Sequence, residues 1–350
     1  MMAPLREMRA GLDWEQSGPN LFLQKLEDNL VGRGGSIRRG CRARRLLRET
    51  DGIAGVEAET PEGTESFRTN AVIIADGGFQ AAPDLVARNI GAPENTLQRR
   101  NAGTGCGDGL RMAMEIGAAT AGMSTFYGHV LSRDAMVNDM LWPYPQVDLI
   151  CTQGIVVDGT GRRFADEGLG GIHVANAIAR LDDPLSAVAI FDNAVWENAS
   201  LSDQVPPNPS LPDAGGTVLE ALTIEDLAAR VDMDPRTLAA TVAEYNETVR
   251  QETSSALAPK RSADRYAPWE IEEPPFYAIP LCAGITVTSG GLSVNGRGQV
   301  MDGMDAPLPG LYAAGSAVGG IEGGPASSYV GGLIKAFGIG LIAADAIAGA

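Results

Sequence analysis

Apolar residues recur along the first part of the chain with two different spacings. In Leu21–Leu30 they recur at helical intervals, which predicts a short amphipathic helix. In Asn70–Ala75 they form a continuous run that ends before Gly77, which is typical of a strand buried on both faces of a parallel sheet. Gly55–Glu59 and Glu65–Arg68 predict the two strands of a hairpin. We therefore expect this part of the chain to combine strands with helices.

Residues 130–275 differ in composition from the first part of the chain, because they contain most of the prolines and several stretches without a regular apolar pattern. Two helix starts are nevertheless marked by capping residues. Thr223 precedes Asp226 by three residues, and Asp234 is followed by Pro235, a residue favoured at the first helical position. We expect this segment to form a second domain.

The last part of the chain returns to an alternation of strands and helices. Gly291–Val294 and Gln299–Asp302 predict a hairpin, and Gly310–Gly315 predicts a buried strand. Gly331 is expected to open the final helix. The apolar tract Ala336–Ala350 is too short to span a membrane, so it predicts a buried helix.

These patterns predict an α/β fold divided into three segments. Residues 1–128 and 276–350 are expected to form one doubly wound domain together. Residues 129–275 are expected to form an inserted α+β capping domain.

Glycine accounts for 44 of the 350 residues, well above its usual share of about 7%. The glycines cluster at Gly103–Gly109, Gly290–Gly291, Gly315–Gly324 and Gly331–Gly332. Each cluster lies where a strand or loop meets a predicted helix, and the first precedes a helix predicted over Asp108–Gly117. At such places bare backbone can approach the phosphates of a ligand.

The chain is acidic, with 44 Asp and Glu against 27 Lys and Arg and a formal net charge of −17. This balance argues against a nucleic-acid partner and against binding to an anionic membrane surface. The basic run Arg38–Arg48 is the exception. Its alternation along a strand favours a solvated sheet edge or the neighbourhood of a cofactor phosphate. Because no group of His, Cys and Asp has the spacing of metal ligands, no metal is expected.

The four cysteines lie far apart and form no CxxC pair, which favours buried free thiols in a reducing cytosol. The first fifteen residues contain no apolar segment of the kind that a secretory signal needs. We therefore expect a cytoplasmic protein.

Five segments carry a family resemblance, and they follow one another in the family's order. They are ADGGF (Ala75–Phe79), GTGCGDGLRMAMEIGA (Gly103–Ala118), GIVVDGTGRRFADEG (Gly154–Gly168), PPFYAIPLCAGITVTSGGLSVN (Pro274–Asn295) and the glycine-rich stretch Pro307–Ala346. The chain resembles the FAD-dependent fumarate reductase, succinate dehydrogenase and 3-ketosteroid dehydrogenase superfamily, and its tricarballylate-dehydrogenase-like members most. The resemblance implies that the doubly wound domain binds FAD and that a small molecule is the substrate.

One part of the family pattern is missing. Family members begin with a strand, a GxGxxG turn and a helix that hold the FAD pyrophosphate. This sequence has no GxGxxG after a strand. Three explanations remain open: an N-terminal segment is missing, that unit is a separate partner chain, or tight FAD binding has been lost.

The resemblance assigns the remaining cofactor contacts position by position. They are Ala43, Ala75, Asp76, Gly77, Asp108, Gly315, Ser316, Gly331, Gly332, Leu333 and Ile334. Asp76 stands where the family usually has Thr or Ser, and Ser316 stands where it has a ribose-binding glutamate. The final helix is expected to point its positive N-terminus at the flavin pyrimidine edge.

The substrate side departs from a fumarate reductase. The family's proton-donating arginine is replaced by Gly171, its paired histidines by Thr286 and Val287, and its last carboxylate-binding arginine by Tyr329. Fumarate reduction is therefore not expected. The loss of these charges favours a less charged substrate, such as a cyclic ketone or a steroid-like enone.

Three residues are candidates for catalysis, each with a structural role as the alternative. The phenol of Tyr329 can hydrogen-bond a carbonyl or transfer a proton, His129 keeps the position of a substrate-facing histidine, and His173 lies near the missing arginine. Arg163 is expected at a strand end or a domain contact.

The leading hypothesis is an FAD-dependent oxidoreductase that adds or removes two hydrogens across a C–C bond next to a carbonyl or carboxylate. The alternative is a non-catalytic fragment or subunit that does not hold FAD alone.

Overall fold

The fold is organised around one long strand, β11 (Phe276–Thr288), in a computed structural model that describes residues 18–141, 147–200, 210–324 and 326–349. The first fifteen residues, on which the expectation of no secretory signal rests, lie outside the described residues. The sequence FYAIPLCAGITVT is almost continuously apolar, and the strand is buried along nearly its whole length. A strand of this composition is stable only when both of its faces are covered.

The remaining strands are short. They are β1 (Arg42–Glu49), β2 (Gly52–Thr60), β3 (Gly63–Arg68), β4 (Val72–Ile74), β5 (Leu97–Arg99), β6 (Thr120–Ala121), β7 (Phe126–Ser132), β8 (Ile155–Val157), β9 (Val188–Asp192), β10 (Leu219–Ala221), β12 (Gly291–Leu292), β13 (Gln299–Met301) and β14 (Pro307–Ala313).

Helices cover and connect these strands. They are α1 (Gly18–Gly32), α2 (Pro83–Asn89), α3 (Asp108–Glu115), α4 (Asp148–Gln153), α5 (Gly171–Ile178), α6 (Asn193–Ser200), α7 (Ser210–Asp213), α8 (Ile224–Arg230) and α9 (Pro235–Arg250). The final helix comprises α10 (Gly332–Ile334), a π-helical segment (Lys335–Ile339) and α11 (Gly340–Ala348).

Strand β11 joins two halves of a six-stranded sheet. Its first half pairs antiparallel with β9 and β10, and β9 pairs in turn with β8. Its second half lies between β5, which runs parallel to it, and β7, which runs antiparallel. One buried strand therefore fixes the predicted inserted segment relative to the rest of the fold.

Two smaller sheets stand beside it. Strands β1, β2 and β3 form an antiparallel sheet that contains the predicted hairpin, while β14 pairs antiparallel with β13 and parallel with β4. The other edge of β4 has no strand partner among the described residues.

Local sequence signals predicted several elements correctly. Helix α1 contains Leu21–Leu30, and α3 begins at Asp108 after Gly107, whose φ of +70° is left-handed. The Thr223 hydroxyl accepts a hydrogen bond from Asp226 N–H at 3.1 Å, and the Asp234 carboxylate accepts one from Thr237 N–H at 2.8 Å. These bonds satisfy backbone donors that the helix itself leaves open.

The predictions of a fully covered strand at β4 and of a hairpin at residues 291–302 were wrong. Among the three residues of β4 only Ile74 is buried, so the strand is not covered on both faces. Residues 291–302 do not form the predicted hairpin, because β12 pairs with β6 and β13 pairs with β14. Only an isolated β-bridge between Val294 and Val300 joins the two predicted strands.

The helical tract Ala336–Ala350 is likewise not a buried helix, because of α11 only Ala343 and Ala346 are buried. Its large apolar side chains belong to an exposed surface that we call the open apolar face. It comprises Leu333, Ile334, Phe337 and Leu341 of the final helix, together with Phe22 of α1, whose ring packs edge-on against Phe337 at 5.7 Å.

No helix of the described residues is both long and apolar enough to cross a bilayer. The same residues contain no group of three or more His, Cys, Asp or Glu arranged to hold a metal ion.

The four cysteines are free, but only Cys151 and Cys282 are buried, so the prediction of burial was wrong for Cys41 and Cys106. Burial raises the pKa of both buried thiols, to about 12 for Cys282. The thiolate is the reactive form, so these two thiols should be inert at moderate pH.

We therefore expect Ellman's reagent at pH 8 to modify two thiols per native chain and four after unfolding in guanidinium. Cys41→Ser and Cys106→Ser should each remove one of the two native reactions. A third thiol that reacts in native buffer as fast as the other two would contradict this assignment.

Candidate active site

A cleft of about 500 Å³ lies between β7, α4, the start of α5 and two loops that precede β11 and the final helix. It is lined by titratable and aromatic side chains from distant parts of the sequence. The polar ones that matter below are Tyr127, His129, Asp148, Arg265, Tyr266 and Tyr329. Two of the three predicted catalytic residues, His129 and Tyr329, thus lie in one cleft.

A chain of hydrogen bonds crosses the cleft floor. Tyr127 and His129 lie two residues apart on β7, so their side chains share one face of the strand. His129 Nε2 lies 3.1 Å from the Tyr127 hydroxyl, and His129 Nδ1 lies 3.2 Å from Asp148 Oδ1. The imidazole therefore links a carboxylate to a phenol.

Tyr329 completes this group from the opposite end of the chain. Its ring stacks on that of Tyr127, with centroids 3.7 Å apart and planes inclined by 17°. The Tyr329 hydroxyl oxygen accepts a hydrogen bond of 2.7 Å from Gly332 N–H, at the start of the final helix. The positive helix terminus thereby fixes the position of the phenol oxygen.

A buried ion pair ties the loop that carries Tyr329 to the final helix. Lys335 Nζ lies 2.5 Å from Glu322 Oε1, and both side chains are 2% exposed. The other carboxylate oxygen of Glu322 accepts a hydrogen bond from Val330 N–H at 3.3 Å. The segment on either side of Tyr329 is thus anchored.

Gly171 leaves room for the acid of the hydrogen-bonded chain. A Cβ atom at Gly171 would overlap the Asp148 carboxylate. A side chain at position 171 would therefore displace Asp148 from the position in which it contacts His129. His173 lies two residues further along α5 and is not among the residues that line the cleft.

Two cleft walls are joined by a fully buried arginine. Arg261 donates a hydrogen bond of 2.7 Å to the Thr152 carbonyl of α4 and one of 2.9 Å to the Tyr266 carbonyl. Glu167, also fully buried, lies 3.8 Å from the Arg261 guanidinium and 2.5 Å from that of Arg163. Arg163 thus lies in the support of the cleft and does not line it.

Sequence reasoning missed Tyr127, Asp148, Glu167 and Arg261. Tyr127 and His129 lie two residues apart and share a face because Phe126–Ser132 is a strand, and this strand was not predicted from the sequence. The others act through contacts between distant segments, which no single motif marks.

The predicted cofactor carboxylates are already bound by protein groups. Asp108 forms a two-point ion pair with Arg42 at 2.7 and 2.9 Å, and the arginine lowers the pKa of that carboxyl. Asp76 accepts a hydrogen bond of 2.7 Å from Gly109 N–H, while burial raises its pKa. Ala43 follows Arg42 on β1, opposite Ala58 of β2.

The arginine-rich run is a solvated strand edge. Its guanidinium groups pair with carboxylates from α1, β2, β3 and α3. Five of its arginines, Arg38, Arg39, Arg42, Arg44 and Arg45, are therefore engaged in ion pairs within the chain.

Residues 18–328 match the family described as FAD binding domain. The chain belongs to this family. NADH:fumarate oxidoreductase of Klebsiella pneumoniae (strain 342) is 28% identical over 305 residues, which cover 87% of this chain and 31% of that protein. 4-Oxocyclohexanecarboxylate 2-dehydrogenase of Sinomonas cyclohexanicum is 28% identical over 288 residues, which cover 76% of this chain and 48% of that protein. The chain thus spans half or less of either relative.

Solved structures share the fold of this FAD-binding domain. The 3-ketosteroid Δ1-dehydrogenase of Sterolibacterium denitrificans superposes with a TM-score of 0.68 at 23% identity, covering 93% of this chain and 62% of that one. A flavocytochrome c3 fumarate reductase in its open conformation gives a TM-score of 0.60 at 23% identity, covering 96% and 56%. The predicted superfamily resemblance is therefore confirmed.

FAD is the cofactor of this family, and the described residues fit one side of it. Gly315 and Gly331 have φ values of +64° and +114°, which favour glycine. A Cβ at Gly315 would lie 3.7 Å from Ala336, so the loop after β14 approaches the final helix closely. The backbone N–H groups in the first turn of a helix have no partner within the helix, so they can bind a ligand. Leu333 and Ile334 lie in the first turn of the final helix, and their side chains are exposed.

Glu167→Gln should destabilise the fold strongly, because it leaves Arg163 and Arg261 buried beside a neutral side chain. We expect a loss of about 3–5 kcal/mol in the free energy of unfolding, measured by urea denaturation followed by circular dichroism. Glu59→Gln, which breaks the exposed pair with Arg44, is the matched control and should cause no measurable loss. Equal effects of both substitutions would show that the buried cluster does not support the fold.

Proposed function

We propose that the protein is an FAD-dependent oxidoreductase that adds or removes two hydrogens across a C–C bond next to a carbonyl or carboxylate. The observation that carries the proposal is a single cleft in which two stacked tyrosines, a histidine and a carboxylate meet the start of the final helix. These are groups that can polarise a carbonyl and transfer a proton at neutral pH. Support also comes from relatives named as reductases and dehydrogenases.

FAD, when bound, supplies or accepts the hydride, and Gly315, Ser316 and Gly331–Ile334 would hold it. Ala43, Ala75, Asp76, Gly77 and Asp108 would extend the contact toward the adenosine part. Arg42 already pairs with the Asp108 carboxylate, and Gly109 N–H already donates to that of Asp76. A ribose hydroxyl would therefore have to bind a carboxylate that also keeps its protein partner.

Tyr329 would bind the substrate carbonyl. Its oxygen already accepts the Gly332 N–H, so its own proton is available for a second hydrogen bond toward the cleft. The Tyr329 O–H would then stabilise the negative charge that develops on the substrate oxygen, and the Gly332 N–H would strengthen this donor by bonding to the phenol oxygen. His129 would serve proton transfer, whereas His173, which does not line the cleft, would take the structural role that was its alternative.

The substrate would be a carbonyl compound less charged than fumarate. The cleft lacks arginines at the positions where the superfamily binds fumarate, and Arg265 is the one arginine that lines it among the described residues. The named substrate of one relative, 4-oxocyclohexanecarboxylate, is a cyclic ketone and supports this class. Residues 129–275 would act as the cap over it.

A further segment, either N-terminal to this chain or on a partner chain, would add contacts to the FAD pyrophosphate, while the residues named above would suffice to retain the flavin. Two features support this part of the proposal: the unpaired edge of β4 and the open apolar face beside the first turn of the final helix. Exposed apolar surface of this extent usually marks an interaction site. The free thiols support a cytoplasmic location.

The visible spectrum of the purified protein tests whether FAD binds. After incubation with FAD and desalting, we expect oxidised-flavin absorption in near-stoichiometric amount. A colourless protein that added FAD does not restore would favour the alternative, a non-catalytic or split subunit that does not hold FAD alone.

Tyr329→Phe tests the role of the phenol. We expect it to slow flavin reduction by 4-oxocyclohexanecarboxylate about tenfold or more, measured by anaerobic stopped-flow absorbance. Tyr277→Phe is the control, because its hydroxyl is bonded to Asn193 away from the cleft. An unchanged rate in Tyr329→Phe would remove this residue from the mechanism.

A further inference from the structure

We infer that Tyr127 is the group that exchanges a proton with the substrate carbon, and that Asp148 and His129 position it and accept its proton. This inference rests on the proposed function and names a catalytic residue for it. Tyr127 lines the cleft beside Tyr329, and His129 and Asp148, which line it too, are joined to Tyr127 by hydrogen bonds.

The direction of the hydrogen bonds follows from the chemistry of the groups. An ionised carboxylate can only accept, so the contact with Asp148 Oδ1 makes His129 Nδ1 the donor. In a neutral imidazole the other nitrogen then carries the lone pair. His129 Nε2 therefore accepts from the Tyr127 hydroxyl at 3.1 Å. The order carboxylate, imidazole, hydroxyl is that of a Ser-His-Asp triad, with a phenol in place of the serine.

The two stacked tyrosines consequently have different tasks. The Tyr329 oxygen is occupied by the Gly332 N–H, which leaves its proton for the substrate. The Tyr127 proton is directed to His129, and the phenol, which lines the cleft, would accept a proton from the substrate. One phenol donates a hydrogen bond and the other accepts a proton, at a ring separation of 3.7 Å.

Position 171 explains why an acid can stand behind the histidine. A side chain at Gly171 would overlap the Asp148 carboxylate, so Asp148 would have to move away from its present position for an arginine to stand here. Asp148 is 18% exposed in its side chain, and its Oδ2 atom is buried without a hydrogen-bond partner among the described residues. With glycine at position 171, the Asp148–His129 pair thus stands where the superfamily has a proton-donating arginine.

In dehydrogenation the substrate loses two hydrogens, one of them as a proton through Tyr127. The C–H bond next to the carbonyl breaks, its proton passes to the Tyr127 oxygen, and the Tyr127 proton passes to His129 Nε2. The electron pair of that bond forms the C=C bond, and FAD, when bound, would be the oxidant that takes the hydrogen of the neighbouring carbon together with its electron pair. In reduction each transfer runs backwards.

The tautomer of His129 gives a test that needs no flavin. The chain has two histidines, so ¹⁵N-histidine labelling together with a His173→Gln variant assigns both rings. We expect the Nδ1–H tautomer for neutral His129, and a mixture of tautomers in Asp148→Asn. The Nε2–H tautomer in the unchanged protein would overturn the inference, because Tyr127 could not then give its proton to the ring.

Proton transfer itself can be measured as deuterium uptake from D₂O into the α-position of cyclohexanone, with FAD-loaded protein. We expect Tyr127→Phe to lower the uptake rate by about 100-fold or more and Asp148→Asn by about tenfold, with Tyr277→Phe unchanged. Undiminished uptake in Tyr127→Phe at equal ketone affinity would overturn the inference.

Uptake without flavin reduction would contradict the proposed oxidoreductase and leave the role of Tyr127 intact. If the unchanged protein gave no uptake above that of buffer, the role of Tyr127 would be wrong, whatever the flavin does.

Discussion

The buried carboxylate of Glu167 is the interaction on which the shape of the cleft depends. Moving one carboxylate and two guanidinium groups out of water costs several kcal/mol for each ion, and mutual attraction alone does not offset this cost. Backbone groups supply the rest: Val156 N–H donates to Glu167, and carbonyls accept from both arginines. Removing one of the three charged side chains would leave the charges of the other two buried without the attraction that offsets their desolvation.

This cluster matters for chemistry because of what it joins. Arg261 holds the carbonyls of Thr152 and Tyr266, which belong to opposite walls of the cleft. Asp148 lies one turn before Thr152 on α4, so the same arginine limits the movement of the acid behind His129. Hydrogen bonds of 3.1 and 3.2 Å are useful in proton transfer only if their partners stay within a few tenths of an ångström. The charge cluster therefore supports the site without touching the substrate.

The sequence predicted those features that depend on neighbouring residues. The caps at Thr223 and Asp234, the hairpin of β2 and β3, and the start of the final helix at Gly331 follow from spacing within a few positions. The family motifs likewise predicted the fold and the cofactor. Burial was harder to predict, because Ala336–Ala350 has the composition of a buried helix whether or not another element covers it.

In the candidate site, too, residues marked by local motifs were predicted, and residues that depend on contacts between distant segments were not. His129 and Tyr329 were predicted because each stands at a motif position, whereas Asp148 and Tyr127 gain their meaning from a contact that only the folded chain creates. The substitution at Gly171 was interpreted as the loss of an acid. In the structure the missing side chain is the condition for another acid to approach His129, since the two cannot occupy the same space. A motif position that loses its functional residue can thus mark a rearranged site as well as an inactive one.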